Sequence, residues 1–479
     1  MNYRLLLKTI GIGLMVVAAF LIVPIVISLV MKTGEEVAFL STAVVCAAAG
    51  SILVGIKNNR DLIARDGLVS VVVCWFVMSL AGAMPLFITG TLPTYMDCFF
   101  EAASGFTTTG ATVLTDVSVC SYAMLMWRAL MHWIGGMGII VFMLIIISRR
   151  SAKSVHLMSV ESTGPFKGKL APTTTQSAKA LFTIYAVLTG SEIVALLFAG
   201  MPVFDSFLHA FSTAGTGGFS MTNASVGEYN SAAIDVIITV FMLLFGLSFV
   251  LYYQISRGNL KAFAKSTEFK VFIAVVAGSI TVIMLNVASF YGYDYGQSLR
   301  YAAFTVAATS STTGFCIVDY EAWPMLSKCI IVGLMFFGAM AGSTGGGIKY
   351  SRVIIAAKAI KRDLKKMLHP NLVSVVKMDG AAVSERVVSL VQVFIVSYVA
   401  LLGLGTLLIS LDNFDFTTSF TSVLSALSNI GPGLSLVGPV GNYAMFSGFS
   451  KGVLSVCMIA GRLEIFPFLI MLAPRTWRR

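Results

Sequence analysis

The residues whose types and spacing most directly suggest chemistry are four short runs rich in threonine, serine and glycine. Aligned without gaps, each run has glycine at its seventh position. Three runs have threonine two residues before that glycine, where the fourth has asparagine. The runs are Ser104-Gly-Phe-Thr-Thr-Thr-Gly110-Ala, Ser212-Thr-Ala-Gly-Thr-Gly-Gly218-Phe, Ala308-Thr-Ser-Ser-Thr-Thr-Gly314-Phe and Ser425-Ala-Leu-Ser-Asn-Ile-Gly431-Pro.

These runs have the composition of an ion filter. Glycine accepts positive φ, so a short run can turn successive carbonyl oxygens toward one side. Carbonyls from four runs around an axis can replace the hydration shell of a monovalent cation, while hydroxyl groups add ligands or brace the turns. The predicted filter residues are Thr108, Thr109, Gly110, Thr216, Gly217, Gly218, Thr312, Thr313, Gly314, Asn429, Ile430 and Gly431.

The composition indicates what kind of protein positions these runs. The chain has 479 residues, of which 57% are hydrophobic and only 11% charged, whereas about a quarter of an average soluble protein is charged. We therefore expect a polytopic membrane protein, in which the net charge of +11 reports orientation rather than a nucleic-acid partner. The seven cysteines are scattered without a CxxC pair and predict neither a disulfide framework nor a metal site.

Apolar runs of about 20 residues, the length that crosses a hydrocarbon core, occur about ten times. They lie near 10–31, 36–56, 68–90, 124–148, 180–201, 233–256, 270–291, 326–348, 387–411 and 446–473. The four glycine-containing runs follow spans three, five, seven and nine, each after a short amphipathic segment, which indicates an internal repeat. The predicted fold is all-α, with about ten transmembrane helices arranged as two N-terminal helices and four pseudo-symmetric helix–pore loop–helix repeats around a central pore. The predicted units are 1–60, 61–150, 178–258, 268–362 (with a broken second helix) and 384–479.

The charges predict the orientation of the spans. Basic residues gather in alternate connecting segments and at the C-terminus, which the positive-inside rule assigns to the cytoplasm together with both chain ends. The opposite loops carry acids, which either concentrate cations at an external mouth or record topology alone. The bases are Lys57, Arg60, Arg65, Arg149, Arg150, Lys153, Lys167, Lys169, Arg257, Lys261, Lys265, Arg352, Lys358, Lys361, Arg362, Lys365, Lys366, Arg475, Arg478 and Arg479.

The four turns in order, behind two extra N-terminal spans, resemble the Trk/Ktr/HKT superfamily of potassium transporters, most closely its bacterial TrkH subunits. The resemblance covers almost the whole chain. It implies uptake of potassium, the transported ion, through a channel-like pore, with no organic cofactor and no enzymatic activity. It also implies a homodimer among the lipids of the bacterial inner membrane and a cytosolic TrkA-like nucleotide-binding regulatory subunit. Asn429 and Ile430 depart from the threonine-rich pattern, which leaves side-chain ligation at the fourth turn open.

A second glycine-rich run, from Gly338 to Lys349, lies inside the eighth span. Gly342 and Gly347 have the Walker A spacing, but Ile348 separates Gly347 from the lysine, so nucleotide binding is not predicted. So many glycines cannot sustain a helix, and the break is either a packing hinge or backbone that faces the pore. In the TrkH family the matching segment is an intramembrane loop below the filter that must move for ions to pass. The resemblance assigns this gating role to Gly342, Ser343, Thr344, Gly345, Gly346 and Gly347.

Arg462 stands inside the last apolar span. An arginine at the centre of a membrane helix costs about 2.5–3.5 kcal/mol on insertion scales, so it usually faces the protein interior. On the axis it would form an electrostatic barrier to cations, and the alternatives are snorkelling or a structural ion pair. The matching arginine of the TrkH family lies in the pore near the intramembrane loop, and the resemblance therefore adds Arg462 to the gate.

Three further titratable residues fall within predicted spans. His132, which precedes a Gly-Gly-Met-Gly run, favours close helix packing over a proton relay. Glu192 serves either a structural hydrogen bond or a proton path, and Glu464, two residues from Arg462, does not share its helix face. These three residues keep a proton-coupled potassium symporter open as the alternative to a gated pore.

Overall fold

The computed structural model describes residues 1–56, 64–148 and 174–477. Within these ranges six helices are long and apolar enough to cross a membrane, and two helices bent by 89° together have the length and composition of a seventh. A two-stranded hairpin, Lys377–Met378 paired with Ala381–Ala382, is the β structure of the described chain. The predicted cytoplasmic bases that lie outside the described residues are Lys57, Arg60, Arg149, Arg150, Lys153, Lys167, Lys169, Arg478 and Arg479.

The chain begins with apolar helices that pack beside the first repeat. Tyr3–Phe20 continues almost directly into Ile22–Met31, and Glu36–Val54 returns antiparallel to them. Gly11 allows the close approach of these helices, since a Cβ on it would lie 3.0 Å from the Gly50 carbonyl oxygen. The largest apolar core joins these helices to the first and fourth repeats.

Four helix–loop–helix units follow. Each begins with a long first helix and continues with a shorter one that ends at one of the four predicted runs. The first helices are Ala64–Ile88, Thr174–Phe198, Thr267–Val287 and Glu385–Ile409. The shorter helices are Tyr95–Phe106 (pore helix 1), Val203–Gly215 (pore helix 2), Tyr295–Ser310 (pore helix 3) and Phe416–Ser428 (pore helix 4).

Side-chain caps fix where three of the pore helices begin. Thr94, Asp294 and Asp415 each accept a hydrogen bond from the backbone N–H three residues later. Such a cap satisfies a donor that the helix itself leaves without a partner. The hydrogen bond from the Thr418 hydroxyl lowers the pKa of Asp415 below its usual value, so this cap stays ionised at neutral pH.

The second helices of the units differ. Tyr122–Ser148 in the first unit is continuous, whereas the other three are interrupted. The interrupted pairs are Ala232–Gly246 with Phe249–Ser256, Met325–Phe336 with Tyr350–Leu368, and Gly448–Arg462 with Phe466–Leu472. Short connecting helices complete the described fold: Ser225–Tyr229, Ala262–Lys265, Tyr320–Ala322, Ser410–Asp412, Ser435–Val437 and Pro474–Trp477.

The predicted continuity of two spans is therefore wrong. The span at 233–256 bends at Leu247, whose backbone is extended. The span at 446–473 is interrupted where Glu464 and Ile465 take φ of 59° and 63°, a conformation that ends a right-handed helix. The predicted break in the span at 326–348 is present: helix stops at Phe336 and resumes only at Tyr350. The helices before these breaks are therefore only 15, 12 and 15 residues long, short of the roughly 20 residues that cross a hydrocarbon core.

Candidate functional site: a ring of four loops above an intramembrane loop

The four predicted runs share one backbone conformation. In each, the residue two before the seventh-position glycine and the glycine itself have positive φ, and the residue between them does not. The φ values are 54° and 78° at Thr108 and Gly110, 56° and 77° at Thr216 and Gly218, 60° and 78° at Thr312 and Gly314, and 54° and 97° at Asn429 and Gly431. The departure from threonine in the fourth run therefore leaves its backbone shape intact, because asparagine adopts the left-handed region readily.

The glycines show how the loops meet. A Cβ added to each seventh-position glycine would collide with the carbonyl oxygen of the middle residue in the next loop. The distances below run from the added Cβ to the carbonyl oxygen of the next loop. They are 1.9 Å for Gly110 to Gly217, 2.2 Å for Gly218 to Thr313, 1.8 Å for Gly314 to Ile430 and 2.7 Å for Gly431 to Thr109. This order runs from loop one to four and back to one. The loops thus form a closed ring, which we call the filter ring (residues 108–110, 216–218, 312–314 and 429–431).

Several polar groups of the ring form hydrogen bonds that hold the loops in place. The Thr109 hydroxyl accepts a 3.0 Å hydrogen bond from Asn429 Nδ2, which also donates to the Met458 carbonyl. The Gly431 carbonyl oxygen accepts from Ser425 Oγ at 2.7 Å and from Tyr443 OH at 2.8 Å. The fourth loop is therefore held by its own repeat, and its amide side chain ties it to the first loop.

The filter ring forms the floor of a cavity. All four ring glycines line it, together with residues of the loops that follow them, such as Thr115 and Asn223. Asp116 lies fully exposed next to Thr115, and hydrogen bonds from the hydroxyl and N–H of Ser118 lower its pKa below the usual value. This carboxylate next to the cavity is therefore ionised at neutral pH.

The predicted intramembrane loop lies against the other side of the ring. We define it as Phe337–Lys349, between the two helices of the third unit. Gly346 N donates to Thr312 Oγ1 at 2.8 Å, and a Cβ on Gly346 would lie 2.3 Å from the Ser428 carbonyl oxygen. The loop therefore touches two ring loops directly.

Arg462 connects this intramembrane loop to the first unit. Its Nη1 donates to the Thr344 carbonyl oxygen, and its Nη2 donates to the Gly135 carbonyl oxygen at 2.9 Å. The side chain is buried, so snorkelling toward the membrane surface does not describe it. The structure thus brings together the glycine-rich loop and the arginine that the sequence placed in one gate.

Comparisons with known proteins agree with this architecture. A family model described as "Cation transport protein", TrkH, matches residues 35–478. The chain belongs to the TrkH family. The Trk system potassium uptake proteins TrkH of Salmonella typhimurium and of Halomonas elongata are 36% and 34% identical to it, each over 100% of both chains. The crystal structure of the potassium transporter TrkH from Vibrio parahaemolyticus matches with a TM-score of 0.90 and 32% identity, over 100% of both chains.

Two charged residues of this TrkH-family chain hold the intramembrane loop although sequence reasoning did not assign them to it. Lys349 Nζ donates to the Gly345 carbonyl oxygen. Glu268 Oε1 accepts from Ala341 N at 2.8 Å and from Ser351 N at 2.9 Å, so one carboxylate binds backbone on both sides of the predicted gate segment 342–347. The signal for Lys349 was its place at the end of the glycine-rich run, two residues after Gly347. Glu268 gives a weaker signal, an acid within a basic segment.

The helix break in the second unit forms backbone hydrogen bonds with the intramembrane loop. Met340 N donates to the Gly246 carbonyl oxygen at 3.1 Å, and Phe249 N donates to the Gly342 carbonyl oxygen at 2.9 Å. Backbone groups outside a helix need partners at membrane depth. The two interruptions supply those partners to each other.

The remaining titratable residues of the predicted spans occupy three different settings. His132 packs against the second ring loop, since a Cβ on Gly217 would lie 2.2 Å from His132 Nδ1, as the prediction of close packing requires. Glu464 pairs with Arg352 on the helix that leaves the intramembrane loop. Glu192 is fully buried beside Thr213 of pore helix 2.

Proposed function

We propose that this chain is the pore subunit of a potassium uptake system, in which the filter ring selects potassium and the intramembrane loop gates the pore. The observation that carries the proposal is the closed order in which each ring glycine lies against a carbonyl oxygen of the next loop. Relatives over the full length are named potassium uptake proteins and a potassium transporter, which supports potassium as the transported ion.

The ring would act through backbone oxygens. We infer that the alternation of positive and non-positive φ turns carbonyls of the ring residues toward the axis, except that of Gly431, which the hydroxyls of Ser425 and Tyr443 bind. The axial carbonyls would replace water around a dehydrated ion. The hydroxyls of Thr109 and Thr312 already serve hydrogen bonds within the protein, so backbone rather than side-chain oxygens supply the ligands at these positions. With one shared glycine per loop, we expect looser selection than in filters with two.

The intramembrane loop would close the pore beneath the ring. Its carbonyls at Thr344 and Gly345 are bound by Arg462 and Lys349, and both cations oppose the passage of another cation. Opening requires the loop to leave these partners. Glu268 binds backbone on both sides of the segment 342–347 and is the fixed point about which the loop would move.

Control would come from the cytoplasm. The helix Tyr350–Leu368 leads directly out of the intramembrane loop and carries exposed bases near its end, among them Lys361 and Lys365. We propose that a cytosolic TrkA-like nucleotide-binding partner acts through this helix. We further propose a homodimer in the bacterial inner membrane, with both termini cytoplasmic and units bounded at 1–60, 61–150, 178–258, 268–362 and 384–479.

Flux in liposomes tests this function. We expect purified protein to pass potassium and rubidium faster than sodium and lithium, and to pass them faster when the cytosolic partner is present. Equal flux of all four ions would contradict the filter, and flux that the partner does not change would contradict the proposed control.

Proton-coupled symport remains the alternative, because Glu192 lies buried next to the helix that ends at the second ring loop. Reversal potentials at constant potassium and varied external pH separate the two mechanisms. A gated pore predicts no shift with pH, whereas coupled protons shift the potential.

A further inference from the structure

A buried ion pair lies next to the filter ring, on the side of the cavity that the four ring glycines line. Arg128 of helix Tyr122–Ser148 donates from Nε to Glu101 Oε1 at 2.9 Å, and its Nη2 lies 2.8 Å from the same oxygen. Glu101 belongs to pore helix 1, and both side chains are almost completely buried. Because the two charges cancel, the pair adds little net field at the cavity, and its role must be sought in its directional contacts.

The carboxylate of this pair fixes the backbone that follows the first ring loop. Glu101 Oε1 accepts from Thr112 Oγ1 at 3.0 Å, and Oε2 accepts from Val113 N at 3.0 Å. Hydrogen bonds to an ionised acceptor are roughly twice as strong as neutral ones. The chain two and three residues after Gly110 is therefore tied to pore helix 1.

The guanidinium reaches the second ring loop. Its central carbon lies 3.9 Å from the centre of the Phe219 ring, and Phe219 follows Gly218 directly. One helical turn further along, the His132 ring lies 4.1 Å from the same phenyl ring. Phe219 is thus enclosed by two side chains of one helix, and the pair spans from the first ring loop to the second.

The other units show that this brace belongs to the first one. At the position equivalent to Glu101, pore helix 2 has His209, whose Nε2 lies 3.1 Å from Ser220 Oγ, the equivalent of Thr112. Pore helix 4 has Ser422, which donates back to its own Ser419 carbonyl. The ionic version is therefore a feature of the first unit rather than a common requirement of the fold.

We propose that Glu101 and Arg128 are positioning residues for ion selection, which fix the spacing of the first two ring loops without contacting the ion. This inference rests on the proposed filter. Selection between potassium and sodium depends on the size of the carbonyl cage and on the field of its oxygens. A change in loop spacing alters both, so the pair acts on selection through the backbone.

Two variants test positioning separately from charge. Arg128→Lys keeps the charge but loses the planar fork and the flat contact with Phe219. The double variant Glu101→Gln/Arg128→Gln removes both charges and leaves the net charge of the pair unchanged. We expect each to lower the ratio of potassium to sodium flux in liposomes about tenfold, which corresponds to about 1.4 kcal/mol of differential binding.

The chain offers a matched control. Lys451 Nζ lies 2.6 Å from Asp97 Oδ1, one turn earlier on pore helix 1, and this buried pair joins the first and fourth units without contacting a ring loop. The double variant Asp97→Asn/Lys451→Gln should lower the melting temperature of the purified protein as the Glu101 and Arg128 variants do, yet leave the flux ratio unchanged. A second readout is the rise in melting temperature that potassium gives relative to sodium, which reports binding without transport.

The outcomes separate this inference from the proposed function. A normal ratio in Arg128→Lys and in the double variant, with a selective wild-type protein, overturns the positioning role alone. An equal change in the Asp97 and Lys451 control also overturns it, since any lost buried pair would then suffice. Absence of selection in the wild-type protein overturns the filter and the positioning role together. If the double variant cannot be purified, Arg128→Lys decides.

Discussion

The filter ring and the intramembrane loop are both glycine-rich backbone between helices of the repeats, but they are held in different ways. In the ring, four copies of one conformation meet backbone to backbone, so that glycine Cα atoms lie against carbonyl oxygens. The intramembrane loop exists once and is held by charged side chains, namely Arg462, Lys349 and Glu268. Steric contact fixes one geometry, whereas hydrogen bonds from side chains can be exchanged. The ring is thus suited to selection and the loop to movement.

The most severe test of this contrast is a single methyl group in the ring. Gly314→Ala places a Cβ 1.8 Å from the Ile430 carbonyl oxygen and keeps a φ of 78° that alanine rarely adopts. We expect selective potassium flux to be lost. The measurement is the potassium-to-sodium flux ratio in liposomes.

Gly278→Ala is the matched control, because this glycine lies in a first helix with nothing within 4 Å of an added Cβ. It should behave as the wild-type protein does. If the Gly314→Ala protein still selects potassium, the ring tolerates the added Cβ. The contrast between a ring fixed by steric contact and a loop held by side-chain hydrogen bonds is then wrong.

Removal of Arg462, the proposed gate residue, should have the next largest effect, in the opposite direction. Arg462→Gln loses charged donors to Thr344 and Gly135, and hydrogen bonds to charged groups contribute about 1.5–3 kcal/mol each. We expect basal potassium flux without the partner to rise by about tenfold or more, with little change in selectivity.

The control for Arg462 is Arg257→Gln, which removes an exposed arginine after the bent helix of the second unit. Flux that stays constant or falls in Arg462→Gln, at normal expression, would remove this residue from the gate.

Glu268 tests whether the backbone on both sides of the segment 342–347 is held by hydrogen bonding or by charge. Glu268→Gln keeps an oxygen that can accept from Ala341 N and Ser351 N, whereas Glu268→Ala leaves both donors without it. We expect basal flux to rise severalfold in the alanine variant and to change less in the glutamine variant. Equal effects of the two variants would assign the role to the charge instead.

The smallest effect is expected at Glu464. Its pair with Arg352 is partly exposed, with the glutamate side chain 24% accessible, and such pairs contribute about 0.2–1 kcal/mol. Glu464→Gln should therefore change basal flux by less than about fivefold in the same assay. A larger change would mean that the break in the last helix belongs to the gate as fully as Arg462 does.

The sequence predicted the features that depend on local composition. The four runs, the broken eighth span and the burial of a lone arginine such as Arg462 all follow from residue type and hydropathy. It did not predict the breaks at Leu247 and at Glu464 and Ile465, because both lie within apolar spans and a hydropathy pattern does not register backbone conformation.

Long-range partners were also beyond the sequence. Glu268 meets the intramembrane loop 73 residues later, and Arg128 meets Phe219 across two units. Nothing in the sequence around Glu268 or Arg128 indicates its partner, since these contacts form only once the units surround a common axis. The closing of the ring through Gly431 and Thr109 depends on the same assembly.

The reciprocal backbone hydrogen bonds between the two helix breaks bear on the biogenesis of the protein. During synthesis the bend at Gly246 and Phe249, like Glu268, emerges before the intramembrane loop, whereas Arg462 follows more than a hundred residues later. Unpaired backbone is costly in lipid, and the intramembrane loop, once made, meets hydrogen-bond partners that are already present, whereas the bend obtains its partners only when the loop follows. The bend and Glu268, which bind the intramembrane loop, are thus synthesised first, the loop itself second and Arg462, which binds it from the last unit, at the end.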